Sequence, residues 1–469
     1  MSHISDRLFI ARSVFFRKVG GEVYVRNAAT GEEFIFSAEA APIFSALRHG
    51  ARRSLPILRG NTAFLRDLTA YGLMGEGSDP IKSGVRIQRK SPQDDACAPV
   101  SGIAGHFQEI RRRRHRLWSA GLELTYRCNA RCRHCYIDIP ERQSASNELI
   151  EEEWMSVVDQ LARMGCMNVL VTGGEPTLHP AFLSVCKRII KCGMLCDVYT
   201  NGLDISDDLF AELRALPINS ISVSLYSGSG TFHDKITGVR GSFKKTLVNL
   251  LRFKDAGFDA YAKAPVFHNH LEDFFAAMEL GCKHGFRVLA STLLVPGHSG
   301  KTRNPMMMDA DEYRHFLELE ATPDTSMDSL DANERRRNEP LCHAGQSTLC
   351  VSPFGDVMPC NSFPVVCGNI RQLSLSKVWN GSEVFRRLRK IRRRDVSPSC
   401  ISCEDIAYCT VCLGTSWIET QGQIAPCSWS CGQTRIRAAF NRQTKKGIVD
   451  EHNRATNNVT SSCTSPYEA

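Results

Sequence analysis

The sequence lacks any apolar run approaching the roughly 20 residues that a membrane-spanning helix needs. Its first residues, MSHISDRLFIARSVFFRK, contain no apolar segment followed by a small-residue cleavage site, so a secretory signal is disfavoured. Solenoid-type repeats are absent too. The 42% hydrophobic residues suit ordinary globular cores, and 469 residues predict about three domains of roughly 150 residues. We therefore expect a globular, cytoplasmic protein.

Cysteine is the residue present in excess, with 20 copies in the chain. Because cytosolic thiols stay reduced, metal ligation explains this excess better than a disulfide framework does. The cysteines are concentrated, with three between Cys128 and Cys135 and ten between Cys342 and Cys431. The net charge of +8 is partly concentrated in the run Arg111–Arg116, which we interpret as a solvated linker rather than a nucleic-acid contact.

The pattern of predicted elements divides the chain into five regions. Residues 1–78 predict a small α+β unit that begins with a strand over Arg7–Lys18, and residues 79–117 predict a basic linker. In residues 118–325 six apolar strands, the first over Leu122–Tyr126, alternate with helices. This alternation predicts an α/β fold, an open partial barrel of parallel strands with its site at their carboxyl ends. Residues 326–431 are the cysteine-rich region, and residues 432–469 predict a disordered tail.

A short loop after the first barrel strand contains three cysteines at the spacing C-x3-C-x2-C, namely Cys128, Cys132 and Cys135. Three thiolates on one loop can hold three corners of an iron–sulfur cluster, which leaves the fourth iron open to a non-protein ligand. A structural zinc site normally needs four protein ligands, and no fourth Cys or His follows at finger spacing. The loop therefore predicts an iron–sulfur cluster.

The loop resembles the cluster motif of radical S-adenosylmethionine (SAM) enzymes. After the second predicted strand comes a GGEP element, in which paired glycines allow close approach of a ligand and a carboxylate can accept from an ammonium group. In the family this element binds the methionine amino group of SAM. The resemblance implies that SAM contacts His134, Gly173, Gly174, Glu175, Pro176, Asn201, Ser222, Ser224 and Arg240. The two serines also fit plain strand polarity, and Arg240 also fits a surface arginine.

The cysteine-rich region exceeds the needs of one zinc site, and no RNA-binding aromatic motif accompanies it. It resembles a SPASM domain, the extension that carries two auxiliary 4Fe–4S clusters in peptide-modifying radical SAM enzymes. The resemblance implies one cluster on Cys342, Cys360 and Cys412, with Cys350 as a possible fourth ligand. It implies a second cluster on Cys400, Cys403 and Cys409, completed by Cys427 or Cys431.

The N-terminal unit resembles the winged-helix module known as the recognition element of ribosomally synthesised and post-translationally modified peptides. Such a module captures a leader peptide as an added strand beside a helix groove. The resemblance implies an edge formed by Glu33, Phe34, Ile35 and Phe36 and a groove lined by Phe64, Leu65 and Leu68. A generic winged helix and a DNA-binding winged helix are the alternatives.

Together the resemblances imply a radical SAM/SPASM maturase of a ribosomal precursor peptide, with SAM and three 4Fe–4S clusters as cofactors. The implied reaction is an oxidative intramolecular crosslink (C–C, C–O or thioether), with electrons from a flavodoxin or ferredoxin and no catalytic side chain assigned beyond the clusters. Asn361 stands where the sulfatase-maturing branch has its Asp base, so formylglycine formation is disfavoured. Peptide epimerisation, maturation of a folded subunit and a zinc-stabilised nucleic-acid-binding regulator are the alternatives.

Overall fold

The structure is a computed structural model that describes residues 7–10, 14–19, 22–27, 33–48, 51–52, 58, 62–70, 73–76, 115–137, 146–297, 304–320 and 330–455. The predicted linker 79–117 lies outside the described residues except for its last three. Among the described residues, no helix combines the length and the apolar character needed to cross a membrane.

The N-terminal unit, in its described part, consists of two small antiparallel sheets and two helices. Its elements are β1 (Arg7–Ile10), β2 (Val14–Val19), β3 (Glu22–Asn27), β4 (Glu33–Ser37), α1 (Ala41–Arg48), β5 (Ala51–Arg52), α2 (Thr62–Ala70) and β6 (Met74–Glu76). The strand orders are β2–β3–β4 and β5–β1–β6, so β4 lies at a sheet edge. The Phe36 ring lies 5.3 Å from that of Phe44 and 5.4 Å from that of Phe64, which joins sheet and helices.

The prediction of one strand over Arg7–Lys18 is wrong. β1 pairs with β5 and β6, whereas β2 pairs with β3, so the chain changes sheets between Ile10 and Val14. Apolar residues continue on both sides of this change, and local periodicity therefore gives no sign of it.

Residues 119–291 form the predicted partial barrel. Its strands are β7 (Ser119–Glu123), β8 (Asn168–Thr172), β9 (Leu195–Thr200), β10 (Ser220–Ser224), β11 (Ala260–Pro265) and β12 (Arg287–Ser291). They run parallel and neighbour one another in sequence order. The helices between them are α3 (Glu151–Arg163), α4 (Phe182–Lys191), α5 (Asp207–Arg214), α6 (Gly230–Thr237), α7 (Ser242–Asp255) and α8 (Leu271–His284).

The two faces of the barrel sheet differ in polarity because strand side chains alternate in direction. On the outer face, Leu122, Val171 and Val223 are buried in the core shared with the helices. The inner face includes Glu123 and Ser222, which are buried although polar. The inner face of the barrel sheet is therefore lined in part by polar side chains, and we call the space at the carboxyl ends of its strands the chamber.

The cysteine-rich region extends the barrel sheet instead of forming a separate layer. Its elements, with the two helices before it, are α9 (Ala310–Glu320), α10 (Leu330–Asn338), β13 (Thr348–Val351), β14 (Asp356–Met358), β15 (Gly368–Asn369), α11 (Leu375–Gly381), α12 (Glu383–Lys390), α13 (Pro398–Ile401), α14 (Leu413–Glu419) and α15 (Ser428–Ala455). β13 pairs in parallel with β7, and β14 and β15 complete a nine-stranded sheet. The Ser119 amide donates to the Ser347 carbonyl, 3.1 Å away, so β7 begins at Ser119 rather than at Leu122 as predicted.

The prediction of a disordered tail over residues 432–469 is wrong up to residue 455, because α15 occupies this stretch. Trp429, Ile436 and Phe440 pack against the apolar cluster that contains Tyr313. The Arg437 guanidinium donates to the Tyr313 hydroxyl at 2.7 Å. The apolar residues of α15 that contact this cluster are widely spaced and separated by polar residues, so the composition of the segment indicated disorder. Residues 456–469 lie outside the described part of the chain.

Candidate active site

The three predicted cluster cysteines lie on one loop at the carboxyl end of β7. All three are half-buried. The Ala130 amide points at the Cys128 sulfur from 3.4 Å. The Cys135 amide donates to the Cys132 carbonyl at 3.2 Å, which closes a tight turn between the two cysteines. Three thiols with an N–H group directed at one sulfur are the donor set that an iron–sulfur cluster requires.

The two glycines of the GGEP element allow the chain to lie against the backbone of the cysteine loop. The Gly174 amide donates to the Thr125 carbonyl at 2.7 Å, and the Glu175 amide donates to the Arg127 carbonyl at 2.8 Å. A Cβ atom on Gly173 would lie 2.3 Å from the Thr125 oxygen, and one on Gly174 would lie 2.3 Å from the Arg127 oxygen. Neither contact is possible for a side chain. Close approach of a ligand to these glycines stays a prediction, and the structure adds that they also allow close approach of another backbone segment.

The Glu175 carboxylate ties the ends of β8 and β9 together. It is 1% exposed, and it accepts from the hydroxyls of Thr177 and Thr200, each at 2.8 Å, and from the Asn201 amide at 2.8 Å. Burial raises the pKa of this carboxyl, and the hydrogen bonds oppose that rise. The carboxylate therefore fixes the geometry of the loops around the three cysteines.

Asn201 connects the end of β9 to the cysteine loop. Its side-chain amide donates to the Asn129 side-chain oxygen at 2.7 Å and lies 3.7 Å from the Cys128 sulfur. The side-chain oxygen of Asn201 accepts from the Leu203 amide at 2.9 Å, which fixes the amide orientation. Asn201, predicted as a SAM contact, is thus also a neighbour of a cluster thiol.

Tyr226, which sequence analysis missed, lies just beyond β10 with its hydroxyl 3.7 Å from the Cys132 sulfur. Its ring centroid is 4.8 Å from that of His134 and 5.2 Å from that of His233. His134, the predicted cofactor-packing residue, also lies 5.1 Å from the Phe267 ring. The sequence offered one signal for Tyr226, an aromatic residue close after a predicted strand. Many buried tyrosines occupy such a position, so the signal was not specific.

The remaining predicted SAM contacts divide between the chamber and the surface. Ser222 is buried and Ser224 is half-buried on the inner face of β10. Pro176 is buried at the start of a short 3-10 turn after Glu175. Arg240 is exposed in the turn between α6 and α7. The structure thus places the two serines on the inner face of the barrel sheet and Arg240 at the surface.

Glu123, also missed, is a fully buried carboxylate at the end of β7. It accepts from the Tyr126 hydroxyl at 3.0 Å and from the Tyr136 hydroxyl at 2.8 Å, and Tyr136 directly follows Cys135. Burial raises the pKa of Glu123 to about 7, although both hydrogen bonds oppose the rise. One carboxyl group therefore holds both ends of the cysteine loop.

The cysteines predicted for the first auxiliary cluster come from three separate segments. Cys342 and Cys360 adjoin the same apolar cluster. Gly414 lies so close to the Ser362 carbonyl that a Cβ atom on Gly414 would overlap its oxygen. This close packing places the start of α14, and therefore Cys412, near Cys360. Cys350 is buried on β13, and burial and the nearby Glu123 and Cys360 raise the pKa of its thiol.

Cys427 and Cys431, the two candidates for the fourth member of the second auxiliary group, have different surroundings. The thiols of Cys400, Cys403 and Cys431 have raised pKa values, caused first by burial and also by the neighbouring Cys409 thiol. The Cys427 thiol is buried and donates to the Ser430 hydroxyl at 2.9 Å. Proximity therefore favours Cys431 as the fourth member of this group.

Three arginines hold the backbone of the auxiliary region. Arg393 is buried and donates to the carbonyls of Leu341 at 2.8 Å and Cys409 at 3.1 Å. Arg336 donates to the Cys409 carbonyl at 3.2 Å, and Arg337 donates to the Cys403 carbonyl at 3.1 Å. These contacts join the segments that carry the two cysteine groups.

The predicted leader-binding residues divide into structural and accessible members. The Glu33 carboxylate accepts from the Tyr24 hydroxyl and the Arg26 guanidinium, each at 2.7 Å, and Arg26 also donates to Asn219 of the barrel at 3.1 Å. Leu65 and Leu68 are buried in the core of the module. Phe34, Phe36 and Phe64 are half-buried, and the side chain of Ile35 lies outside the described residues.

A different group, formed by His268, Asp309 and Glu312, also lies within metal-ligand spacing. The Glu312 amide donates to the Asp309 carboxylate and the Asp309 amide donates to the Glu312 carboxylate, each at 2.9 Å. This reciprocal pair is a capping box at the start of α9. The His268 ring lies 2.6 Å from the Glu312 carboxylate, so local structure accounts for the whole group.

Comparison with known proteins supports the assignment of both cysteine regions. The model of the radical SAM superfamily matches residues 122–270, and that of the iron–sulfur cluster-binding domain SPASM matches residues 342–404. The chain is 25% identical over 322 residues to the AdoMet-dependent heme synthase of Methanosarcina barkeri, covering 64% of this chain and 91% of that protein. It is 26% identical over 300 residues to the antilisterial bacteriocin subtilosin biosynthesis protein AlbA of Bacillus subtilis, covering 62% and 66%.

Solved structures share the fold over nearly the whole chain. Streptococcus suis SuiB, in its complex with the precursor peptide SuiA, superimposes with a TM-score of 0.58 at 15% identity, covering 90% of this chain and 99% of SuiB. The predicted partial barrel with a SPASM extension is thereby confirmed. Because the two family models match the segment that carries the cysteine loop and the segment that carries the auxiliary cysteines from Cys342 to Cys403, the chain contains a radical SAM domain and a SPASM domain and is an S-adenosylmethionine-dependent enzyme.

Proposed function

We propose that this enzyme modifies a ribosomally synthesised precursor peptide by forming an intramolecular crosslink. The observation that carries the proposal is the N-terminal module, whose edge strand β4 lies beside the half-buried rings of Phe34, Phe36 and Phe64. An open strand edge next to apolar pockets suits an extended peptide, with main-chain bonds for affinity and pockets for specificity. The likeness to SuiB, solved with a precursor peptide, and the kinship with AlbA support the same substrate class.

The residues around the chamber have distinct roles in this proposal. Cys128, Cys132 and Cys135 would hold one 4Fe–4S cluster, which together with SAM would supply the radical chemistry that removes hydrogen from an unactivated carbon. Glu175 and Asn201 keep the loops around the cluster in place through the hydrogen bonds described above. The chamber excludes water from the reacting carbon, which suppresses side reactions.

The auxiliary cysteines suit a net oxidation. Closing a bond from a substrate radical leaves one electron that needs an acceptor, and an auxiliary cluster would supply one. Cys342, Cys350, Cys360 and Cys412 would hold the first auxiliary cluster, and Cys400, Cys403, Cys409 and Cys431 the second. The Asn361 side chain offers no base at the position where sulfatase-maturing enzymes have Asp. A flavodoxin or ferredoxin would reduce the cluster on the three-cysteine loop.

A second candidate is chemistry on a tetrapyrrole, which the 25% identity to AdoMet-dependent heme synthases favours. The two candidates differ in substrate size and in the need for a leader peptide. Incubating the enzyme with SAM, a low-potential reductant and either a tetrapyrrole or the product of a neighbouring small reading frame separates them. Conversion of the tetrapyrrole with no change in any peptide would overturn the peptide proposal.

The crosslink is tested by mass spectrometry of the co-expressed precursor. We expect a product about 2 Da lighter per bond, with deuterium from the attacked carbon recovered in 5′-deoxyadenosine. Unchanged mass with solvent deuterium at an α-carbon would instead indicate epimerisation. The Cys128→Ala variant is the control, because it should leave the precursor unmodified.

The module is tested separately with Phe34→Ala. Loss of this half-buried ring, which stacks on Phe36 along the edge strand, should weaken precursor binding severalfold, while SAM cleavage without peptide stays at the wild-type rate. Val366→Ala is the matched control, because Val366 is an exposed apolar residue outside the module. Equal binding by both variants would contradict the role of this surface.

A further inference from the structure

We infer that Tyr226 raises the reduction potential of the SAM-binding cluster by donating a hydrogen bond from its hydroxyl to the Cys132 thiolate. The inference rests on the proposed cluster at Cys128, Cys132 and Cys135. It assigns a tuning role to a residue outside the cysteine motif and outside the GGEP element.

Tyr226 is placed for this role by contacts on several sides. Its hydroxyl lies 3.7 Å from the Cys132 sulfur, within hydrogen-bond reach of sulfur, and the residue is only 6% exposed. The ring is held between the rings of His134 and His233. Its backbone amide donates to the Nδ1 atom of His233 at 3.2 Å. The hydroxyl therefore cannot swing away without disturbing this packing.

The direction of the hydrogen bond follows from the chemistry of the two groups. A cysteine bound to iron is a thiolate and has no proton to donate, whereas a phenol carries one at neutral pH. Tyr226 must therefore be the donor.

A donor at a cluster sulfur favours the reduced state of the cluster. Reduction adds one negative charge, and a hydrogen bond to the sulfur stabilises that added charge more than it stabilises the oxidised state. Hydrogen bonds to sulfur are among the factors that set cluster potentials. Cys128 already has the Ala130 amide and the Asn201 side chain near its sulfur. Tyr226 extends this pattern to a second ligand of the same cluster.

The test is a redox titration of Tyr226→Phe, which keeps the ring and removes the O–H group. The signal to follow is the reduced-cluster EPR signal that changes when SAM is added, because this signal belongs to the SAM-binding cluster. At a fixed potential near the midpoint we expect the ratio of reduced to oxidised cluster to fall by up to tenfold, which is about 59 mV for a one-electron couple. Tyr261→Phe is the matched control, because Tyr261 lies at the amino end of β11, whereas the cysteine loop follows the carboxyl end of β7.

A second substitution moves the potential the other way. Fluorotyrosine at position 226 is a stronger donor of nearly the same size, so it should raise the potential even if the Phe variant binds less iron. Unchanged potentials in both variants, with wild-type iron content, would overturn the inference and leave the proposed cluster intact. Absence of a SAM-sensitive signal from the wild-type enzyme would overturn the cluster and the inference together.

Discussion

The three-cysteine loop (residues 128–135) and the auxiliary region (residues 342–431) bring thiols together in different ways. In the loop, all three cysteines lie within eight positions at the end of one strand, and neighbouring strand ends supply the surrounding groups. In the auxiliary region, the cysteines come from segments tens of residues apart, and buried Arg393 holds two of these segments through their carbonyls. A local motif is therefore readable from sequence, whereas the membership of a non-local group needs the fold.

The largest expected effect breaks the loop without touching the auxiliary region. Replacing Cys128, Cys132 and Cys135 together by Ala should remove about 4 of about 12 iron atoms per chain and abolish SAM cleavage. Iron analysis and 5′-deoxyadenosine formation measure the two effects. Loss of all iron would mean that the two regions do not assemble independently, contrary to the comparison.

Replacing a glycine of the GGEP element should disturb the three-cysteine loop, although the glycine lies outside that loop. Gly174→Ala places a Cβ atom 2.3 Å from the Arg127 carbonyl oxygen, which forces the segment before Cys128 to move. We expect a loss of about 1–3 kcal/mol in the free energy of unfolding, as for overpacking, and partial loss of the loop iron. Gly381→Ala, where no atom lies within 4 Å of the added Cβ, is the control and should change little. Equal stability of the two variants would contradict the packing argument.

Within the auxiliary region, single substitutions sharpen the non-local assignment. Cys431→Ser should lower the iron content by up to about 4 atoms, whereas Cys427→Ser should retain it, because the Cys427 thiol is engaged with Ser430. Iron and sulfide analysis of the two purified variants measures the difference. The opposite result would make Cys427 the ligand.

The last expected effect is a pH dependence of stability due to Glu123, which appears only when the pH is varied. The pKa of the Glu123 carboxyl is about 7 in the folded protein and near 4.5 in the unfolded chain. Between pH 4.5 and pH 7 the folded protein therefore binds a proton at Glu123 that the unfolded chain has lost. Stability from this group is therefore present at low pH and is lost as pH rises through about 7. Relative to wild type, Glu123→Gln should gain up to about 3 kcal/mol between about pH 5 and pH 8, at about 1.4 kcal/mol per pKa unit. The free energy of unfolding in urea is measured at several pH values for wild type and Glu123→Gln, and an equal dependence on pH in the two proteins would contradict this prediction. Glu383→Gln, at an exposed glutamate, is the control and should follow wild type.

The sequence predicted the elements whose signals are local. The alternation of strands and helices, the cysteine loop and the GGEP element all follow from short stretches of chain, and the fold is confirmed. Non-local features were missed. The pairing of β13 with β7 makes the first barrel strand begin earlier than predicted. The packing of α15 on α9 depends on three widely spaced residues. Tyr226 and Glu123 were missed because a tyrosine after a strand and a glutamate within one have no special spacing.

The most direct test of the account is the metal content of the wild-type protein purified without oxygen. We predict about 12 iron and about 12 acid-labile sulfide per chain, from three 4Fe–4S clusters, and a reduced-cluster EPR signal that changes when SAM is added. Stoichiometric zinc with neither iron nor sulfide would contradict the account at its centre.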